Sequence, residues 1–321
     1  MRRVFFAVIL LVVAALAACG RAEAEAETVN VAVLTGPSAL GSLWLMDAAE
    51  RGETRNDYEI AILGGPMEIP PLLAQGLVDI AAVPTNLASV IYNQTGDITV
   101  LAISTMGVLH LVDATGEVAA VADLRGRTVH LSPPGAAPEF VFNFVLRQNG
   151  LEPGVDVDLV FHAEPPQIGA LLASGAAEIA LLPEPFATTV LMQNENLRHA
   201  LDLTEEWGRV EADSALVMTA IIVRNEFLAE NRAAVDIFLE EFEQSINFVN
   251  NNVSDAAELA VAFGIIPNVN IAAQAIPRSN QVFVTDDRMK RYLSGYLAVL
   301  YEQMPASIGG SKPDEDFYLV R

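Results

Sequence analysis

Leu72-Leu73-Ala74-Gln75-Gly76-Leu77-Val78-Asp79-Ile80-Ala81-Ala82-Val83-Pro84 recurs 99 residues on as Leu171-Leu172-Ala173-Ser174-Gly175-Ala176-Ala177-Glu178-Ile179-Ala180-Leu181-Leu182-Pro183. The same offset carries Gly36 to Gly135, Pro66 to Pro165 and Ile69 to Ile168 without a gap. Each copy reads as a helix end, a glycine turn, an apolar strand and a proline stop. One period of this length is a duplication, not a solenoid, which stacks several short units. The chain therefore holds two α/β units of one pattern. Two similar lobes imply a cleft between them, and small ligands bind in such clefts, outside the carboxyl ends of parallel strands.

Outward from the repeat, the first unit opens with an apolar strand at 29–34 and turns at Thr35-Gly36-Pro37-Ser38. A helix follows, with Leu40, Leu43, Trp44 and Met46 on its inner side. Residues 58–63 form a second strand, 69–75 a helix ended by Gly76, and 78–83 a third strand stopped by Pro84. The second unit repeats the order: strand 128–131, turn Ser132-Pro133-Pro134-Gly135, a helix lined by Phe140, Phe142, Val145 and Leu146, strand 155–161, helix 168–173 and strand 177–182. This alternation argues parallel sheets with right-handed crossovers. Apolar stretches at 98–104 and 107–112 separate the units, and 215–223 is a further strand. The rest reads as helical, with apolar residues from Val235 to Val249 and from Met289 to Leu300 at helical spacing. If those helices return to the first lobe, the chain crosses near 104–108 and 211–216. Residues 30–106 with 215–321 then form lobe one, and 107–214 form lobe two. Two strand-like crossings make a hinge of restricted direction.

The N-terminus reads as an export signal over residues 1–18: Arg2 and Arg3, then an apolar run too short for a comfortable membrane span. It ends Leu16-Ala17-Ala18-Cys19-Gly20, which resembles the lipobox of bacterial lipoproteins, where the cysteine is acylated, palmitate included, and becomes the new N-terminus. Cys19 is the sole cysteine, so no disulfide forms within one molecule. Residues 19–29 alternate alanine with glutamate and read as a lipidated tether. The mature protein is expected on the extracytoplasmic side of a membrane, anchored rather than threaded. The formal charge of −23 becomes −25 without Arg2 and Arg3. Such a surface repels phosphate backbones and excludes nucleic acid as a partner.

The lipobox, the glycine turn of the first unit, Asp79-Ile80-Ala81-Ala82-Val83-Pro84-Thr85-Asn86 and Leu181-Leu182-Pro183-Glu184-Pro185-Phe186 together resemble a known family. So do Ala122-Asp123-Leu124-Arg125-Gly126-Arg127-Thr128 and the tail Ile308-Gly309-Gly310-Ser311-Lys312-Pro313-Asp314. The pattern is similar to that of the solute-binding proteins of bacterial ABC importers, in the nitrate/sulfonate/taurine and thiamine-precursor group. The resemblance implies a type II periplasmic-binding-protein-like α/β fold of two lobes. It also implies a monomer that delivers a small solute to a membrane permease and its ATPase.

In that arrangement the ligand meets the first turn of each lobe and the end of each third strand. These are Thr35, Gly36, Ser38, Thr85 and Asn86 in lobe one, and Ser132, Gly135, Ala136, Glu184 and Phe186 in lobe two. Helix N-termini offer unpaired N–H groups to an anion or carbonyl. Thr35, Ser38, Ser132, Thr85 and Asn86 can equally cap the helices they precede. Glu184 takes the place of Thr85 in the repeat. Facing the cleft, it would accept hydrogen bonds from an amino group; otherwise it is a solvated turn carboxylate. Phe186 either stacks on a flat ring or packs in the lobe. No lysine or arginine falls on the expected rim, which favours a neutral or amine-bearing heteroaromatic such as a pyrimidine over a sulfonate or nitrate. His110, His130, His162 and His199 lack metal-ligand spacing, so neither metal nor cofactor is expected. Gly36-Pro37-Ser38-Ala39-Leu40-Gly41-Ser42 lacks the lysine of a nucleotide loop, and no nucleophile elbow is present. Binding is the first reading. An enzyme on the same fold and a ligand-sensing lipoprotein are the alternatives.

Overall fold

The computed structural model describes residues 27–320. The signal segment, Cys19 and the tether up to residue 26 lie outside the described residues. Two sheets carry the fold. The first contains β1 (Thr28–Leu34), β2 (Asp57–Leu63), β3 (Ile80–Pro84), β4 (Ile98–Met106), β10 (Val217–Arg224) and β11 (Gln281–Val284), in the order β11-β4-β10-β3-β1-β2. The second contains β5 (Leu109–Asp113), β6 (Thr128–Leu131), β7 (Asp158–Phe161), β8 (Ile179–Pro183) and β9 (Arg198–Asp202), in the order β7-β6-β8-β5-β9. The strand at Thr28 starts inside the stretch read as tether.

The duplication is visible in the pairing. β2-β1-β3 and β7-β6-β8 are parallel triplets of the same order. Each triplet is extended by an antiparallel strand, β10 on β3 and β5 on β8. β5 follows β4 of the other sheet after only Gly107 and Val108, and residues 211–216 carry the chain back to β10. Gly76 and Gly175, one repeat apart, sit at φ +68° and +72° after their helices. Glycine reaches this left-handed conformation without the steric cost a Cβ brings.

Three local readings need correction. The first helix breaks into Pro37–Leu40 and Leu43–Glu50 around Gly41 and Ser42. A Cβ on Gly41 would lie 2.6 Å from Ile246 Cδ1, so the break lets the chain pass close to the helix Arg232–Asn251. The chain after 223 is not all helix, because Gln281–Val284 pairs with β4. β9, at Arg198–Asp202, lies in a stretch read without a strand.

One face of the first sheet packs Val29, Val31, Val33, Ile80, Ile221 and Val223 against helices that include Leu43–Glu50 and Arg232–Asn251. The other face, through Leu34, Val83, Ile103 and Ile222, continues unbroken into the apolar interior of the second sheet at Leu109, Val129, Leu131 and Phe140. Trp207 stands at this junction. Its ring lies 4.5 Å from Phe144 and 5.6 Å from Tyr296 of the helix Asp286–Gln303. That helix also reaches the second lobe through Gln303, which donates to the carbonyl of Phe140 at 2.8 Å.

Candidate functional site

On the first lobe, a row of facing residues crosses four neighbouring strands and is polar on three of them. Pro84 of β3 faces Thr219 of β10, Thr219 faces Thr105 of β4, and Thr105 faces Gln281 of β11. Directly opposed residues of an antiparallel ladder share a face. The turn Gly36-Pro37-Ser38 sits on this row. Ser38 Oγ lies 3.2 Å from Thr219 Oγ1, and Gln281 Nε2 donates to the Pro37 carbonyl at 3.1 Å. Thr85 Oγ1, Thr105 Oγ1, Ser104 Oγ and Gln281 Oε1 are buried without a hydrogen-bond partner. Buried polar groups are nearly always paired, so each of these atoms has a bond left for water or a bound molecule to supply.

On the second lobe, Ser132 is buried, Gly135 sits at φ +80°, and Ala136 caps the helix Ala137–Gln148. Asn143 Oδ1 of that helix is a further buried orphan. The Glu139 carboxylate lies at this helix N-terminus. Glu139 Oε2 accepts from Gly135 N at 2.6 Å, and Pro138 removes one N–H from the first turn. In the first lobe the helix Pro37–Leu40 is a single turn that begins on proline. The first turns of the two lobes thus offer few N–H groups, whereas the helix Thr85–Thr95 begins without a side-chain cap bond.

The capping alternative is resolved for the four side chains nearest the helix starts. Gly36, Ala136 and Pro84 are the caps, and no side-chain cap bond forms from Ser38, Ser132, Thr85 or Asn86. Thr35 is exposed, and its hydroxyl donates to the Leu63 carbonyl at 3.2 Å. Asn86 Nδ2 turns to the carbonyl of Ser307 at 3.4 Å. Thr35 and Asn86 each make one bond to the surrounding fold. Phe186 begins the helix Phe186–Gln193 and is half-buried.

Glu184 stands at the end of β8, but it is neither solvated nor idle. It is 1% exposed, and its carboxylate accepts from Thr188 Oγ1 at 2.9 Å and Thr188 N at 3.2 Å. Burial pushes its pKa up to about 7, against the bonds from Thr188 and the nearby charge of Arg278. Arg278 comes from the loop after the helix Val269–Ala275 and donates to Thr188 Oγ1 at 3.1 Å. A guanidinium therefore does stand at this edge, contrary to the sequence reading. No residue near Glu184 in the chain signals it, because it arrives from 94 positions downstream. The histidines are also not isolated. His110 Nδ1 lies 2.6 Å from His199 Nε2, and His130 Nδ1 lies 2.8 Å from His162 Nε2. Among the described residues no group of three or more such side chains could hold a metal.

Two cavities of about 530 and 510 Å³ lie elsewhere, the first beside Gly76, Gln94 and Arg224, the second beside Gly126, His130 and Gly175. Both border strand starts, so neither is the site built by the strand-end turns. Among the described residues no helix is long and apolar enough to cross a membrane.

No family model matches the chain. The Bacillus subtilis protein YtlA is 28% identical over 129 residues, a match that spans 36% of this chain and 38% of that protein. Solved structures agree over far more of the chain. An ABC transporter protein from Parabacteroides distasonis superimposes with a TM-score of 0.78 at 20% identity, covering 91% of this chain and 98% of that one. The periplasmic aliphatic sulphonate binding protein SsuA of Escherichia coli gives 0.71 at 14% identity, over 91% and 94%. The periplasmic nitrate-binding protein NrtA of Synechocystis gives 0.60 at 16%, over 91% and 84%. The chain has the two-lobe fold of periplasmic binding proteins.

Proposed function

We propose that this protein is the extracytoplasmic solute-binding component of an ABC importer. Lobe one, 30–106 with 215–321, closes with lobe two, 107–214, on a small polar solute and presents it to a permease and its ATPase. Cys19 supplies the lipid anchor. The observation that carries the reading is the pair of buried, unpartnered hydroxyls at the strand ends, Thr85 Oγ1 and Thr105 Oγ1, with Asn143 Oδ1 on the other lobe. Leaving each unpaired costs about 1–3 kcal/mol, and a solute with its own donors and acceptors would return that cost as affinity. Gly36, Ser38, Thr85, Ser132, Gly135, Ala136 and Phe186 would line the solute, with Glu184 held behind them by Thr188.

The solute is neutral or amine-bearing, with a flat nitrogen heterocycle as the best fit. At the first turn of each lobe Pro37 and Pro138 remove N–H donors and the Glu139 carboxylate disfavours an anion. Arg278, with one N–H on Thr188, is the cation an anion would use, and the anion arms of the test address it. The test is mass spectrometry of what copurifies with the soluble domain, followed by calorimetric titration with an aminopyrimidine, an alkanesulfonate and nitrate. Submillimolar binding of the aminopyrimidine alone is expected. Tighter binding of either anion would overturn the solute class, and binding of none with no copurifying molecule would overturn the transport reading.

A further inference from the structure

His110 of β5 and Glu184 beyond β8 lie side by side at the root of the first crossover, where Glu184 N donates to the carbonyl of Val108 at 2.9 Å. Their side chains are 1% and 0% exposed, and His110 Nε2 is 4.0 Å from Glu184 Oε1. That is too long for a hydrogen bond. A charged pair here would bury an imidazolium and a carboxylate without the direct bond that repays desolvation. The same number of protons can be held with no charge at all. The N–H bond at His110 Nδ1 breaks and an O–H bond forms on Glu184.

The surrounding partners suit the neutral arrangement. The carbonyl of Arg278 only accepts, so the proton of His110 stays on Nε2, 3.2 Å away. Nδ1 is then free to accept from His199 Nε2–H at 2.6 Å. Protonated on Oε1, Glu184 donates to Thr188 Oγ1 at 2.9 Å, which also accepts from Arg278 of the first lobe, while Oε2 keeps the bond from Thr188 N. The other charges facing the pair are Asp202 of β9, 3.9 Å from His110 Nδ1, and the Arg278 guanidinium; Glu205 faces His199.

We propose that His110 and Glu184 are a mutually neutralising acid–base pair at the hinge, so that covering them with the Arg278 loop takes up no net proton over mildly acid pH. The sign follows from linkage. Burial lowers His110 from 6.5 to about 4, so its share of stability is complete above 6.5 and is lost as pH falls. Burial raises Glu184 from 4.5 to about 7, so its share is complete below 4.5 and is lost as pH rises. Between about 4.5 and 6.5 the two slopes oppose and cancel. Should the lobes close as proposed above, solute capture inherits this indifference; the pair itself is tested in ligand-free protein and stands or falls without that reading.

The experiment is the stability of the ligand-free protein against pH from 4.5 to 7.5, by denaturant unfolding, for the parent, Glu184→Gln, His110→Gln and the double variant. The parent should follow the double variant, with almost no proton linkage from the pair between 5 and 6.5. Glu184→Gln should lose stability toward low pH with a linkage of about one proton. His110→Gln should lose it toward high pH by the same amount. A parent slope equal to that of Glu184→Gln would overturn the proposal. Nitrogen chemical shifts of His110 in the parent at pH 5.5 keep the test decisive if a variant does not fold. A neutral Nε2–H imidazole is required, and an imidazolium would show an ion pair instead.

Discussion

Thr85 and Asn93 sit on one helix, Thr85–Thr95, with opposite hydrogen-bond states. Asn93 Nδ2 donates to the carbonyls of Ile308 and Ser311 at 2.8 and 2.7 Å and pins the C-terminal tail. Thr85 Oγ1 is buried with nothing to bind. Removing a satisfied group leaves its partners unpaired, whereas replacing an orphan by an isosteric methyl removes a penalty. Asn93→Ala should therefore cost about 1–3 kcal/mol in urea unfolding. Thr85→Val should leave stability unchanged or raised, and should weaken solute binding by tenfold or more in calorimetry. A destabilised Thr85→Val with full affinity would show that the hydroxyl serves the fold, not a solute. The sequence singled out Thr85 by its place after Pro84, but which hydroxyl stays unpaired and which amide pins the tail depends on partners that only the fold brings near. The turn at Ser38 was legible because glycine and proline punctuate it. The partners of this turn were not, because Thr219 reaches Ser38 across 181 positions and Gln281 reaches Pro37 across 244.

The elements that could be read in advance are those with a local signature. β3 and β8 each end on a proline, one repeat apart, at Pro84 and Pro183. β11, Gln281–Val284, has four residues and pairs only with β4, so its strand character is set by a distant neighbour rather than by its own pattern. β9 carries Arg198, His199 and Asp202 among five residues, and its polar edge hid it. The turn glycines allow an element-scale test. Gly175 closes the helix Pro165–Ser174 at φ +72°, and a Cβ there would meet nothing within 4 Å. Only the backbone conformation resists substitution, so Gly175→Ala should cost about 1–2 kcal/mol by chemical denaturation, with solute affinity unchanged. An unchanged midpoint would mean that the helix end relaxes out of the left-handed conformation.

At the scale of the whole molecule, the repeat announced two lobes, but the manner of their contact came only with the structure. The apolar interior runs from the first sheet into the second, and Trp207 is fully buried where they meet. Its indole N–H donates to Ser214 Oγ at 3.0 Å on the second crossover, while Phe144 and Tyr296 flank its ring from opposite lobes. Any separation of the lobes that draws the helix Asp286–Gln303 away from lobe two must uncover this indole. The other tryptophan, Trp44, packs within the first lobe against its outer helices. A Trp44→Phe variant therefore leaves a single reporter at the junction. Stripped of copurifying solute by unfolding and refolding, that variant should emit further to the red than the solute-loaded form. It should also show a larger radius of gyration in small-angle scattering, and added solute should reverse both changes. The two readouts are coupled through one motion, so a shift in emission without a change in radius would place the rearrangement in the Trp207 side chain alone. If neither moves while solute still binds, the lobes form one rigid body and the site is filled without closure.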